Sequence, residues 1–498
     1  MTKIGNGTKP PTNVYEYFEC IKDNSAALRQ FFTAMPKGGD LHNHLTGSAY
    51  AETYFELAAE KGMYVDMETG KLYKEQPEGI EVIQLSKKMD DLHNHRMILI
   101  DKWSIRNFQP YKYPLGPDEY FFGTFGLLSA LTSIPDYKDE FCLDNLAHLL
   151  HELKVRAVRE NVQYLEVMAC SPIVQDDCYL ANYEGFDKKL KECVEKGDYK
   201  EARSVLKSII EIYKESFIID EAERSYRFFI AELDRRSNKL DNHLNIDIAN
   251  VKCRYQGYAS RGGEPIKVFA QLYVIHQACK NSTDHLLVGC NIVAAENGEK
   301  SMMYYQLHME MFAVLADEFR SVKTSLHAGE LTMGLVRPEH LTYHINHAVN
   351  IAKANRIGHG VDLPFEQGGD ELLRTMKEGK KIPVEINLTS NEFILGVKGT
   401  EHPIRLYHKA GVPIIISTDD PGILRTSLTE QYSLATLRYG FNYDEIKDIV
   451  KNSIDHSFID PTEKSSEIDT LNISLLEFEK KYVNQSLSAE AESEENES

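Results

Sequence analysis

The chain has 498 residues and a net charge of -20, from 76 acidic against 56 basic side chains. So acidic a surface sets aside nucleic acid as the main partner, because no broad basic face is left for a polyphosphate backbone. Apolar residues make up 42% and charged residues 27%, the balance of a globular protein in water, and no run of 18 apolar residues offers a membrane span. Eight cysteines without a CxxC pair read as reduced thiols, and the N-terminus MTKIGNGTKPPTNVYEYF has no apolar core of a secretory signal. The expected location is the cytoplasm.

Residues 1–34 read as a loose Gly/Pro/Thr-rich start followed by one amphipathic helix from Tyr15 to Phe32. Next comes GGDLHNHL (38–45), a short strand behind the helix breakers Pro36, Gly38 and Gly39. It carries the first of two LHNH sequences. On a strand, residues i and i+2 share a face, so His42 and His44 can grip one ion. The second copy, His93 and His95, lies in a stretch where Val82, Leu85, Met89, Leu92 and Ile100 recur at helical spacing. Its two histidines therefore face different ways.

Further strands are expected at 162–169, 226–233, 285–292, 321–328, 355–360, 381–388 and 412–419, with helical patterns such as 144–161 and 303–320 between them. Eight strands alternating with helices is the order of a (β/α)8 TIM barrel, here over residues 35–460. A doubly wound sheet is the second choice. Residues 46–161 form a large helical and loop insertion after the first strand, expected over the top face or as the surface of a homodimer. A second insertion, about 170–225, reads as a helix pair. Residues 461–498 are a C-terminal extension whose acidic end, 488–498, should be disordered.

Barrel enzymes place their site at the C-terminal ends of the strands. Those ends here carry His42 and His44, His327 in SLHAGE, His359 in RIGHG, and Asp419 and Asp420 in STDDPG. Three neutral imidazoles and a carboxylate suit zinc. Any one of these is ordinary alone; a strand-end histidine is often just a loop residue, and Asp-Asp-Pro is a good helix start. Their joint placement on four strand ends favours a metal site.

With HNHLTGS (42–48), YLEVMACSP (164–172), SLHAGE (325–330), RIGHG (356–360), EHPIRLYHKAGVPIIISTDDPGI (401–423), SLTEQYSLA (427–435) and NSIDHSFI (452–459) in order, the chain resembles the adenosine deaminase family of metal-dependent barrel hydrolases. The lead-in MPKGG and the long first insertion look most like its growth-factor-type branch. The resemblance implies one zinc per chain, held by His42, His44, His327 and Asp419, activating water for attack at purine C6. It implies that Glu330 gives a proton to N1, that His359 orients the water, and that Asp420 shares a hydrogen bond at N7. Thr46 and Ala294 would also touch the substrate. Three positions depart from the family pattern: Thr46 stands where an Asp commonly grips the sugar 5′-hydroxyl, Ala294 where a Gly is usual, and Met168 where Arg is common.

The expected reaction is hydrolytic deamination of adenosine or 2′-deoxyadenosine, a small-molecule purine nucleoside. The alternatives are another 6-aminopurine (adenine, AMP or an N6-substituted AMP), a two-metal amidohydrolase, or a barrel that binds without catalysis. The end of the fourth strand, Gly289-Cys290-Asn291, has no Lys or Glu to bridge two ions, which favours one metal.

Overall fold

A computed structural model describes residues 11–174, 183–240 and 246–496, with side chains described for 11–174, 185–240 and 246–482. Its centre is a barrel of eight parallel strands: β1 (Gly39–His44), β2 (Tyr164–Met168), β3 (Lys252–Ser260), β4 (Leu287–Val293), β5 (Lys323–Ala328), β6 (Arg356–His359), β7 (Val384–Ile386) and β8 (Ile414–Ile416). The order around the sheet follows the order in the chain. The ring closes where β1 meets the end of β8: the His44 N–H donates to the Asp419 carbonyl at 3.0 Å, and the Asp419 N–H donates to the His42 carbonyl at 2.9 Å. The strands are buried on both faces, which suits runs such as Ile414-Ile415-Ile416.

Two expectations change. Residues 226–233, read as the third strand, belong to the helix Phe217–Ser237, and the third strand is Lys252–Ser260. The reason is visible in YRFFIAEL: Tyr226, Phe229, Ile230 and Leu233 are buried at helical spacing while Phe228 is 71% exposed. The N-terminal segment forms two helices, Val14–Ile21 and Ser25–Ala34, because the Asn24 side chain accepts from the Ala27 N–H and starts a new helix.

The first insertion mixes helices with a small antiparallel sheet of Tyr64–Val65, Leu72–Tyr73 and Ile83–Gln84. The helical pattern read from Val82 onward becomes helix only from Leu92, because Ile83 and Gln84 pair in that sheet and Leu85 is buried. The insertion's helix Pro117–Thr132 crosses the barrel mouth. Phe121 packs with Val361, Ile394, Leu395, Ile423 and Leu424, all on segments that follow β6, β7 and β8. The same helix places Phe125, Ser129 and Thr132 near the ends of β1 to β3. The second insertion holds the helices Tyr183–Lys196 and Tyr199–Lys214 before the long one. At the opposite end of the chain the helix Pro461–Asn496 lies against the N-terminal helices, Phe478 on Phe31 and Tyr482 on Tyr17. The side chains of the acidic run 488–498 lie outside the described residues. No helix among the described residues is long and apolar enough to cross a membrane.

Candidate metal centre and active site

β1 delivers His42 and His44 to the mouth, their ring centroids 5.5 Å apart. His42 is fully buried, and its Nδ1 lies 2.7 Å from Glu385 Oε2 on β7. That leaves Nε2, which has no hydrogen-bond partner, 3.4 Å from Asp419 Oδ1. His44 Nε2 is also 3.4 Å from Asp419 Oδ1 and 3.2 Å from His327 Nε2. His327 turns its Nδ1 to the Asn291 side-chain oxygen at 3.0 Å. That oxygen can only accept, so Nδ1 carries the proton and Nε2 the lone pair. Ligands about 2.0–2.1 Å from a tetrahedral zinc stand about 3.4 Å apart, so the observed separations fit one ion. His42, His44, His327 and Asp419 thus present a donor set that matches zinc, with an orphaned imidazole nitrogen aimed at its centre.

The carboxylate behind His42 is itself held. Glu385 accepts from Ser325 Oγ at 2.9 Å and from Arg356, and Arg356 Nη2 reaches Glu166 at 2.5 Å. Burial alone would raise the Glu385 carboxyl; the Arg356 guanidinium and the His42 hydrogen bond outweigh it and hold the group at about 2. Burial opposes charge on His42, yet the carboxylates of Asp419 and Glu385 on either side of the ring prevail and lift it to about 10. A cation on Nε2 takes that proton's place. His44, with burial dominant, falls to about 4 and stays neutral.

Beside these ligands stands a second group, Glu330, His359 and Asp419, which shares Asp419 with the first. Glu330 is buried, and its Oε1 lies 3.6 Å from His359 Nδ1. Burial, then the charges of Asp419 and Glu296, push the Glu330 carboxyl well above the usual range. Asn391 Nδ2 donates to His359 Nδ1 at 2.9 Å, and His402 braces Asn391 at 3.0 Å. Asp420 is raised in the same way, by burial and by Asp419, and its Oδ1 is buried without a hydrogen-bond partner. Gly47 leaves it that space: a Cβ there would sit 1.5 Å from Asp420 Oδ1. His359 and Asp419 adopt φ of 69° and 64°, a left-handed backbone that costs an ordinary residue about 1–2 kcal/mol.

A cavity of about 630 Å³ opens next to this cluster. Thr46, Tyr258, Cys170, Ser129, Lys267 and Gln271 are among its walls, and Tyr258 feels the Asp420 charge. Ala294 is exposed on the loop after β4, with φ of 85°, outside the residues that line the cavity.

Residues 252–473 match the family model described as adenosine deaminase. Over that stretch the chain is similar to the adenosine deaminase family. His42 and His44 lie before the matched stretch and join it only in space. The chain is 32% identical over 173 residues to the adenosine deaminase of Clostridium kluyveri, which is 34% of this chain and 46% of that protein. The matched stretch thus spans about half the length of that curated relative. Two solved structures share the fold. One is the N6-methyl-AMP deaminase of Arabidopsis thaliana, 19% identical, covering 90% of this chain and 99% of that one at a TM-score of 0.55. The other is an amidohydrolase from Burkholderia ambifaria with bound Zn, 18% identical, covering 91% and 95% at 0.55.

Around the residues expected from the family motifs, the structure adds Glu385, Asn291, Asn391 and Glu296, which hold them. Glu385 left a readable trace, an acid in the middle of the apolar strand KIPVEINL. Asn391 and Glu296 sit on a helix and a loop where polar residues are ordinary, so nothing in the sequence distinguishes them. The second LHNH behaves as expected. His93 is exposed on the helix Leu92–Lys102, and His95 bonds only to the Asp91 carbonyl at 3.1 Å.

Proposed function

We propose that this chain is a deaminase of the adenosine deaminase family and removes the 6-amino group of adenosine or 2′-deoxyadenosine by hydrolysis, giving inosine or 2′-deoxyinosine and ammonia. The observation that carries this reading is a buried carboxyl, Glu330, pushed above the usual carboxylate range by burial and set beside a three-histidine, one-aspartate donor set and an unpartnered Asp420 oxygen. One zinc is the cofactor that suits these donors; when bound, such an ion brings the pKa of a coordinated water toward about 7.

The chain's own residues do the rest. Glu330 delivers its proton to purine N1 as C6 becomes tetrahedral. His359, fixed by Asn391, orients the attacking water and helps move its proton. Purine N7 can only accept, so Asp420 must donate there, which the raised carboxyl permits. The cavity beyond is in the size range of whole small-molecule sites, which favours a base with a sugar over adenine alone. Thr46, in the cavity wall, is the residue we assign to the sugar, whereas the exposed position of Ala294 outside that wall lends no support to a substrate contact there.

A second reading has its own support. Among the described residues the cavity wall has no carboxylate and includes several hydroxyls. That lining suits a 6-aminopurine nucleotide such as AMP or an N6-substituted AMP. Ammonia release from adenosine, 2′-deoxyadenosine, AMP, N6-methyl-AMP and adenine, measured side by side before and after chelation, tests both. Adenosine is expected to have the highest kcat/KM, and full activity after metal removal would overturn the reading.

A further inference from the structure

The turn that carries Glu330 is gripped from three other strand ends. Arg261, after β3, donates through Nη2 to the His327 carbonyl at 2.7 Å. The Gly360 N–H donates to the Ala328 carbonyl at 3.0 Å, and the Val361 N–H to the Gly329 carbonyl at 2.7 Å. Glu296, after β4, takes the two amides that remain: Gly329 N–H to Oε1 at 3.1 Å and Glu330 N–H to Oε2 at 2.8 Å. One carboxylate thus caps two successive peptides, the second belonging to Glu330 itself.

Glu296 is in turn fixed. It is buried, His344 Nδ1 lies 2.5 Å from its Oε1, and Arg261 Nη1 lies 3.7 Å from the same oxygen. His344 is stacked on Tyr305 with ring centroids 3.7 Å apart, so it cannot swing away. Gly329 completes the device. Its φ is 76°, and a Cβ would strike Asp362 Oδ1 at 2.3 Å. The backbone at Gly329 is therefore set from outside, and Glu330 inherits its direction from it.

We infer that Glu296, locked by His344 and Arg261, is a positioning residue: its two hydrogen bonds to the Gly329–Glu330 peptides aim the Glu330 carboxyl at the substrate. The inference rests on the deaminase reading above and touches neither substrate nor ligand set. An amide in place of the carboxylate keeps one acceptor and turns an NH2 against the other N–H. A displacement of about 1 Å at such a group is enough to cost about 10²-fold in rate.

The test uses the full chain, as wild type, Glu296→Gln and the milder His344→Gln, which leaves Glu296 in place but unclamped. Four quantities are read: kcat, KM for adenosine, zinc per chain, and hydrogen exchange of a peptide spanning 326–331. Glu296→Gln is expected to lower kcat 10- to 100-fold with KM within two-fold and zinc near one per chain, while exchange at 326–331 speeds up at least ten-fold. His344→Gln should move kcat and exchange the same way by less, and it carries the test alone if Glu296→Gln does not fold. Faster exchange with unchanged kcat would reduce Glu296 to a structural role and overturn the inference, as would loss of zinc or a parallel change in KM. If the wild type releases ammonia from no 6-aminopurine, the deaminase reading fails, whereas the exchange data still report whether the clamp exists.

Discussion

The same four residues, Leu-His-Asn-His, occur at 41–44 and at 92–95, and the two copies do opposite things. In the first, a strand sends both imidazoles into the barrel mouth, and three neighbours determine what each ring offers: Glu385 behind His42, Asp419 between the pair, His327 across from them. In the second, a surface helix points His93 and His95 apart, with no carboxylate among their hydrogen-bond partners. A histidine becomes a ligand through the period of its backbone and the charge behind it; the tetrapeptide itself decides nothing.

That contrast can be broken most sharply by cutting each copy. His42→Ala is expected to drop zinc from about one per chain to near zero and ammonia release to background, read by elemental analysis and a coupled assay. His93→Ala with His95→Ala should leave both within about two-fold, as surface changes do; a loss there as large as at His42 would erase the distinction. Next in size is Glu330→Gln, which keeps the ion but removes the proton donor. Its kcat should fall about 10²- to 10⁴-fold with zinc content unchanged. Smaller again is Glu385→Gln, which leaves every ligand in place and weakens only the support of His42. Metal affinity, from competition with a chelator, should fall about 10- to 100-fold. An unchanged affinity would mean that the acid behind the first copy is not what separates it from the second.

Much of this was legible from the chain. The eight-strand order follows from short apolar runs between helical patterns, and the candidate ligands stand where those runs end. The third strand was not, because Tyr226, Phe229, Ile230 and Leu233 are apolar enough to pass for one, whereas Lys252–Ser260 mixes Lys, Arg and Gln with its buried residues. In a barrel this strand's inward face can be polar: Gln256 there bonds to Glu166 at 3.0 Å and to the Leu41 carbonyl at 3.3 Å. The partners of the site side chains were also out of reach. Asn391 meets His359 only because a helix after β7 folds back over the mouth, and Glu296 meets Glu330 from the loop of another strand. Such pairings belong to the closed barrel and leave no local pattern.

The twisted backbones at His359 and Asp419 carry a cost for the molecule as a whole. Both residues hold a geometry that glycine adopts freely, and each gives up about 1 kcal/mol or more of folding free energy to point its side chain inward. The chain is thus least comfortable where it is most useful, and a more rugged protein lies one inactivating change away. Asp419→Gly should melt at a higher temperature than Asp419→Ala, both without metal and both inert, by the few degrees that such relief is worth. On the deaminase reading, heat tolerance and turnover in this barrel would pull against each other at these two residues.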